Sequence, residues 1–306
     1  MEVAKFDEEL HKIQQNIHKR LFKKIDYNGA TEELLELAGA LRREGNAPHA
    51  AICCMSAAHC QRALESPLKA ANLEVQAGEL LWREEAKKIN SEDDKTFREL
   101  LPEAINCYLC AISVYMQHEK FGLASSLYAE MGQHLYDIGE TCDAAIYLEK
   151  AAQLVETQSP FLSESLIRKS IQSRIEAGDY SAASDSLHWL MTILQRRSAR
   201  SSSQGAVADV IEDQAGVAQA MLSDCIIQII LENYTEARSS LETLHQHAAA
   251  NLPSGEIHTT LSPLIAAFID ACQSRSRRDA CYLQEEISEL VEPSHSDLML
   301  RCIPRC

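Results

Sequence analysis

The sequence predicts an all-α protein, an α-solenoid of about six stacked helical hairpins with a capping helix at its N-terminus. Two observations support this fold class. The 306 residues include only 11 glycines, 8 prolines and 6% aromatic residues, whereas residues that favour helices are abundant and those that favour strands are scarce. Alanines also recur at a spacing of roughly 40 residues, a period typical of stacked helical repeats.

One repeat is particularly clear in the middle of the chain. Its small and apolar positions are Tyr128, Met131, Gly132, Leu135, Gly139, Ala144, Leu148 and Ala151. These offsets resemble a tetratricopeptide unit, in which two antiparallel helices touch through small side chains. Gly132 and Ala144 are therefore expected where two backbones approach closely. Gly45, Gly139 and Gly178 are expected just beyond helix ends, where a left-handed conformation favours glycine.

A lone amphipathic helix precedes the repeats. Its apolar residues recur every three or four positions, at Phe6, Leu10, Ile13, Ile17 and Leu21. The same segment carries a basic cluster, formed by Lys12, Lys19, Arg20, Lys23 and Lys24. Such a helix can lie on an anionic membrane surface, or it can cover the exposed end of a repeat stack. We favour the capping interpretation, because a stack of hairpins requires a covered end.

The second helix of each predicted hairpin opens with an alanine. The six anchor alanines are Ala50, Ala104, Ala144, Ala183, Ala237 and Ala280. They predict an N-terminal solenoid half at 1–195, with the capping helix and four hairpins, and a C-terminal half at 214–293, with two more. Residues 196–213 are predicted to form a disordered linker, because the Ser- and Arg-rich stretch lacks periodicity. Residues 294–306 are predicted to be a flexible tail.

Charge and cysteine content limit the classes of function. The formal net charge of −16 repels phosphate and argues against a nucleic-acid partner. No uncharged apolar run approaches the ~20 residues of a membrane-spanning helix. Eleven cysteines and an acidic start with no apolar signal segment predict reduced thiols in the cytoplasm or nucleus.

The sequence carries no pattern typical of a catalytic, cofactor or metal site. Cys53, Cys54 and Cys60 lie close together, as do Cys107 and Cys110, but they occupy helical, apolar positions where cysteine packs as a small hydrophobe. Zinc ligands would be expected in pairs on turns. Phosphate-binding loops, nucleophile elbows and His-Glu-x-x-His motifs are missing. We therefore predict a protein that is not an enzyme and that holds no cofactor or metal.

The last predicted hairpin has an uneven distribution of charge. The candidate partner-binding residues are Arg275, Arg277, Arg278, Glu285, Glu286 and Glu289. One interpretation is a solvated outer helix. The other is an electrostatic dock, where charges set the orientation and association rate of a partner.

Several segments resemble the 40-kDa huntingtin-associated protein family. They are residues 18–25, 34–44, 48–64, 76–85 and 222–231. The resemblance implies an all-helical solenoid held between the N- and C-terminal HEAT-repeat arms of huntingtin, in a 1:1 heterodimer. It also implies an effector that links huntingtin to an early-endosome Rab GTPase, and hence an endosomal location. Vertebrate-type members carry a Pro-rich central loop, whereas the central stretch here is short and rich in Ser and Arg.

The expected function is therefore a scaffold that binds and stabilises huntingtin. The alternative is a tetratricopeptide peptide-binding or vesicle-fusion-type adaptor that works without huntingtin. Adaptors that clamp peptide carboxylates line their groove with Lys, Arg and Asn. The inner positions of the first and third hairpins are mostly Ala, Ser, Glu and Gln, which argues against a basic clamp of this kind.

Overall fold

The structure is a computed structural model that describes residues 3–18, 26–90, 98–251 and 256–305. Every regular element in these ranges is helical, which confirms the predicted all-α fold. The elements are α1 (Val3–His18), α2 (Tyr27–Arg43), α3 (Ala47–Ala63), α4 (Pro67–Asn90), α5 (Leu101–Gln117), α6 (Phe121–Asp137), α7 (Thr141–Val155), α8 (Pro160–Ala177), α9 (Tyr180–Gln204), α10 (Val207–Ile230), α11 (Tyr234–Asn251), α12 (Glu256–Gln273), α13 (Arg277–Ser288), α14 (Pro293–Leu300) and the short 3-10 helix η1 (Ile303–Arg305).

Helices α2 to α13 pair consecutively into hairpins, α2 with α3 through to α12 with α13. The predicted number of about six hairpins is therefore confirmed. The chain divides into two compact units, Met1–Val155 and Glu156–Cys306. The first unit holds α1 and three hairpins, and the second holds three hairpins followed by α14 and η1.

The six anchor alanines occupy one equivalent position. Each is the fourth residue of the second helix of its hairpin, and each is fully buried. The space around them is narrow: a Cβ added to Gly132 in α6 would lie 3.1 Å from the carbonyl oxygen of Ala144 in α7. Gly78 in α4 stands in the same relation to Ala104, at 3.4 Å. In these two hairpins small side chains are therefore needed on both helices, as the sequence predicted for Gly132 and Ala144.

The turns between helices use a left-handed residue. Gly139 has a φ of 84°, and its amide donates to the carbonyl of Tyr136 at 3.0 Å, which closes the end of α6. Gly45 and Gly178 are also left-handed, so the predicted role of these three glycines is confirmed. Four other turns place a non-glycine residue there, Glu65, Glu119, Glu232 and Arg275.

Helix α1 packs against the first hairpin, as the capping interpretation predicted. Phe6 and Ile13 are buried, and the Phe6 ring meets the edge of the His49 ring in α3 at 4.4 Å between centroids. Of the other predicted residues, Leu10 packs on the same core, whereas Leu21 and the basic residues from position 19 to position 24 lie outside the described residues.

The structure differs from the predicted disordered linker at 196–213. Helix α9 continues to Gln204, and α10 begins at Val207 after a left-handed turn at Gly205. The Arg197 side chain is neutralised by Asp213 and Glu164 on the neighbouring helices. These pairs compensate the charge of one arginine of the stretch. The chain divides into its two compact units between residues 155 and 156 instead.

The structure also differs from the predicted flexible tail at 294–306. Helix α14 packs against α10 and α13, and its apolar residues Leu298 and Met299 are buried. Arg301 Nη1 donates to the carbonyl of Ile175 in α8 at 2.7 Å. The Arg305 guanidinium donates to the carbonyl of Ile230. The segment is therefore ordered by burial of its apolar face and by backbone carbonyls of the first two hairpins in its unit.

Candidate interaction surfaces

A polar network joins three helices of the first unit. The Tyr108 hydroxyl donates to Glu130 Oε1 at 2.7 Å, and His134 Nε2 lies 3.4 Å from the same oxygen. The Trp82 ring stacks on His134 with 5.0 Å between centroids. The hydrogen bond with His134 lowers the pKa of Glu130, helped by Tyr108 and opposed by burial. The network positions α4, α5 and α6 and presents no nucleophile.

A tyrosine pair on the same unit reaches the surface. The rings of Tyr128 and Tyr147 stack with 6.0 Å between centroids, and Lys150 Nζ lies 5.0 Å from the Tyr147 ring. Burial raises the pKa of both tyrosines. Ile146, one helical turn before Lys150, is 42% exposed. Aromatic, cationic and apolar groups of this kind are enriched where proteins bind one another.

The second unit exposes apolar side chains near its buried ion pairs. Phe161 is 69% exposed, yet the Arg197 guanidinium lies 4.2 Å above its ring. Arg197 Nε donates to Asp213 Oδ1 at 2.6 Å, and its Nη1 contacts Glu164 Oε2 at 2.5 Å. Val207, at the start of α10, is 66% exposed. The ion pairs therefore hold α8, α9 and α10 together beside these apolar side chains.

The candidate partner-binding residues of the last hairpin are all exposed. The structure places the positively charged and the negatively charged residues apart from each other. Arg275 lies in the turn with a φ of 56°, and Arg277 and Arg278 begin α13. Glu285 and Glu286 lie in its last turns, with Glu289 just beyond them. Glu285 lies eight positions after Arg277, which is about 12 Å along the helix. The arginines thus form one patch and the glutamates another.

A C-terminal site lies in the segment that had been predicted to be a tail. Helix α14 packs against α10, and residues of α8, α9, α10 and α14 line a cavity of about 470 Å³. A second cavity of about 270 Å³ lies toward α12. The two share Gln219, Glu292 and His295. His295 was not predicted from the sequence, because the spacing of Leu298, Met299 and Cys302 is too short a pattern to identify a helix.

The cysteines of the helical cores are kept in the thiol form. Burial raises the pKa of Cys53 and Cys107 to about 12, and the same cause raises the pKa of Cys225 to about 12. Because the thiolate is the metal-binding and nucleophilic form, these residues act as core side chains. Among the described residues, no group of three or more His, Cys, Asp or Glu side chains could hold a metal ion. Cys110 and Cys142 are exposed.

Helix length and polarity also bear on a membrane role. Within the part of the chain that the structure describes, we find no helix with the length and apolar character needed to cross a membrane.

Two curated proteins are similar in sequence to part of the chain. No family model matches the chain. The 40-kDa huntingtin-associated proteins of Rattus norvegicus and Mus musculus are each 26% identical to it over 184 residues, which is 60% of this chain and 48% of theirs. The chain thus spans about half the length of the curated relatives it matches.

A structural comparison returns the crystal structure of a Rap protein complexed with competence and sporulation factor. It covers 99% of this chain and 80% of the Rap chain, at 15% identity and a TM-score of 0.34. The resemblance predicted from the sequence is confirmed by the curated relatives: the chain is similar to 40-kDa huntingtin-associated protein over 184 residues.

Proposed function

We propose that this chain is a non-enzymatic scaffold subunit that binds huntingtin and stabilises it in a 1:1 complex, by docking between its HEAT-repeat arms. The observation that carries this proposal is the similarity to 40-kDa huntingtin-associated protein over 184 residues. Stacked hairpins support it, because they present extended surfaces that suit a large protein partner better than a small substrate.

The charges of the last hairpin support an electrostatic contribution to docking. Positive charge near a helix N-terminus and negative charge near its C-terminus act against the helix dipole. In α13 the first turn holds Arg277 and Arg278 together with one acidic residue, Asp279, so its net charge is positive, and no basic residue lies in the last turn. The helix's own stability therefore does not account for this arrangement, whereas a partner with complementary charges would. Such charges mainly set orientation and association rate.

Exposed apolar side chains would supply the affinity. Leu123 is 52% exposed in the first unit, and Phe161 and Val207 are more exposed in the second. Obligate complexes bury roughly 2,000–5,000 Å² and are rich in apolar contacts. We therefore expect the chain to be less soluble and less stable alone than in the complex. Equal solubility and an equal melting temperature with and without huntingtin would contradict the obligate character of the complex.

Co-expression with full-length huntingtin tests the proposal directly. Size-exclusion chromatography should give one peak that contains both chains in equal amounts. Reversing the basic patch, with Arg275→Glu, Arg277→Glu and Arg278→Glu together, should slow association, and the loss should be larger at low salt. A matched control reverses three exposed basic residues of the first unit, Arg43, Lys69 and Lys120.

The outcomes separate the parts of the proposal. Failure of the two chains to co-elute would overturn huntingtin binding. An equal loss of association in the two charge-reversed triple variants would indicate a general charge effect, and would exclude a specific role of the last hairpin.

A trafficking role is a further part of the proposal. On this reading the complex is cytoplasmic, associates in part with early endosomes and enters the nucleus, and it acts as an effector of an early-endosome Rab GTPase. Its support is the relationship to the huntingtin-associated family. The complex should bind the Rab protein when it carries a GTP analogue and not when it carries GDP. Equal binding to both forms would exclude an effector role.

A peptide adaptor is the second candidate function. The cavity of about 470 Å³ favours this function, because the side chains of Arg168 and Arg301 line its wall and carry the positive charge that binds an acidic peptide or a peptide carboxylate. Against it, Arg168 already pairs with Glu164, and Arg301 already donates to the carbonyl of Ile175. Binding of such peptides by a chain that does not co-elute with huntingtin would favour the adaptor.

A further inference from the structure

The second unit contains a polar groove between α9 and α11. Residues of these two helices and of α10 line it, and its volume is about 350 Å³, which lies in the range of roughly 300–1,000 Å³ that is typical of ligand sites. Glu236 and Thr243 on its wall are exposed, so the groove is open to solvent. We call it the α9–α11 groove, and its polar lining includes His188, Thr192, Asp224, Glu236, Ser240 and Thr243.

A buried carboxylate lies against this groove without a cation. Asp224 in α10 is 4% exposed, and it accepts hydrogen bonds from the hydroxyl groups of Ser184 in α9 and Ser240 in α11. The side-chain amide of Gln228 donates a third, at 3.4 Å. Within the described ranges of the chain, no ion pair involves Asp224. Since buried charges in proteins are normally paired, its negative charge is available to attract a cation from outside.

A second carboxylate lies at the rim of the groove. Glu236 in α11 is exposed, and it too forms no ion pair with the described residues. The neighbouring arginine of α11, Arg238, does not compensate these charges, because it pairs with Asp270 of α12 at 2.7 Å. No Lys or Arg is among the described residues that line the groove. The α9–α11 groove is therefore negatively charged.

The other polar groups of the wall mostly offer hydrogen-bond acceptors. Thr192 Oγ1 and Thr243 Oγ1 each donate to the backbone carbonyl four residues earlier, at 3.0 and 2.9 Å. Ser240 Oγ donates to Asp224 Oδ2 at 3.2 Å. The hydrogens of these three hydroxyls are used within the protein, so lone pairs remain for a ligand. His188 Nδ1 lies 2.8 Å from a backbone carbonyl oxygen of α9, so in the neutral ring Nε2 presents a lone pair as well.

A ligand that fits this groove must bring positive charge and several N–H donors. A guanidinium group has five N–H donors and no acceptor, whereas an ammonium group has three and is more strongly hydrated. The acceptors of the groove come from three helices, which suits the wider guanidinium group. Met191 and Met221 also line the groove, and their side chains can pack against the apolar stem of an arginine.

We propose that the α9–α11 groove binds an arginine side chain of a partner protein. Its guanidinium group donates to Glu236 and to the hydroxyl oxygens of the wall. Asp224 requires no contact with the ligand, because its charge acts through the hydroxyl group of Ser240, which it polarises. Arginine is enriched among the residues that dominate binding energy at interfaces. The inference rests on the proposed scaffold function and adds to it the chemical class of one anchor.

The N-acetyl amides of arginine, citrulline and lysine are the probes, and their binding to the full chain is followed by NMR titration. Citrulline has nearly the shape of arginine, but it is neutral and has fewer donors. The arginine probe should bind about tenfold more tightly than the citrulline probe, the effect of one hydrogen bond between charged groups. It should also bind more tightly than the lysine probe. Equal affinity of the arginine probe and either of the others would overturn the proposal, as would no binding at millimolar concentration.

Two glutamate variants locate the arginine probe on α11. Glu236→Gln should weaken its binding about tenfold, because a hydrogen bond between charged groups is lost, and should change the binding of the citrulline probe little. Glu242→Gln is the matched control, because Glu242 is also exposed on α11 but does not line the groove. It should leave both affinities unchanged. Equal effects of the two variants would refute the assignment of the groove.

Asp224→Asn tests the contribution of the buried charge. The variant keeps the shape of the side chain and removes its negative charge, so it should lower the affinity for the arginine probe and leave that for the citrulline probe nearly the same. An unchanged preference for arginine in this variant would contradict the role of Asp224. Should Asp224→Asn fail to fold, the comparison of Glu236→Gln with Glu242→Gln decides the question.

The groove and the scaffold function can fail separately. Huntingtin that co-elutes with a chain showing no preference for the arginine probe would remove the groove and leave the scaffold function in place. A preference for arginine in a chain that does not co-elute with huntingtin would have the opposite meaning. The arginine would then belong to another protein partner.

Discussion

Gly132 in α6 approaches Leu148 in α7 so closely that a Cβ added to the glycine would lie 2.7 Å from Leu148 Cγ. Gly132→Ala should therefore overpack the third hairpin and lower the free energy of unfolding by about 1–3 kcal/mol. Urea denaturation followed by circular dichroism measures the change.

Gly39→Ala is the matched control for that substitution. Gly39 is also inside a helix, but a Cβ there would meet no atom within 4 Å. The variant should gain about 0.5–1 kcal/mol, because alanine favours the helix more than glycine does. Equal destabilisation by the two substitutions would show that the close contact with Leu148 does not govern stability.

The two neighbouring arginines of α9 should differ strongly when they are removed. Arg197 is 11% exposed and its partner Asp213 only 2%, so Arg197→Gln leaves a buried carboxylate without its cation and should cost about 3–5 kcal/mol. Arg196 pairs with Glu156 and is 63% exposed, so Arg196→Gln should cost about 0–1 kcal/mol. Thermal and urea unfolding of both variants test this, and similar losses would contradict it.

The buried histidine should make stability depend on pH. The folded pKa of His295 lies below its ordinary value of 6.5, because burial opposes its charge more than Glu292 and the Gln219 contact favour it. The unfolded chain then binds more protons in the range just below pH 6.5. Its free energy of unfolding should consequently fall as pH decreases through that range.

His295→Gln isolates this effect, since other histidines also titrate. The difference in free energy of unfolding between the native chain and the variant should be constant above pH 7 and should shrink as pH falls below about 6.5. A difference that stays constant between pH 7.5 and pH 5 would contradict the shifted pKa.

The thiols should differ in their rate of alkylation. Cys53, Cys107 and Cys225 are buried with a pKa of about 12, whereas Cys142 is exposed. N-ethylmaleimide at pH 7.5 should label Cys142 within minutes and leave the three buried thiols unmodified, as measured by peptide mass spectrometry. Urea should abolish the difference, and fast labelling of Cys53 in the native chain would refute it.

The hairpins could be predicted because their signals are local. An alanine recurs at the position of Ala144 in every hairpin, so one chain holds several copies of the same information. Helix propensity and the left-handed turns act over a few residues as well. These elements therefore follow from sequence patterns without knowledge of the tertiary structure.

The C-terminal site could not be predicted, because its determinants are distant in sequence. Helix α14 spans only eight residues, which is too short for a strong periodic signal. The position of His295 depends on its contact with the carbonyl of Gln219. The charge of Arg197 is compensated only in the folded chain, where Asp213 and Glu164 lie beside it. The partner-binding role of Arg275 and its neighbours stays a prediction, since exposure alone does not identify a contact.

The bond from Arg301 to the carbonyl of Ile175 spans 126 residues, in a fold whose other contacts mostly join neighbours along the chain. Stacks held only by adjacent contacts fray from their ends, one repeat after another. In the second unit this long-range closure ties the last helix to the first hairpin. Opening any one of its three hairpins then strains the others, so amide protons across the unit should exchange with similar protection, as in an all-or-none transition.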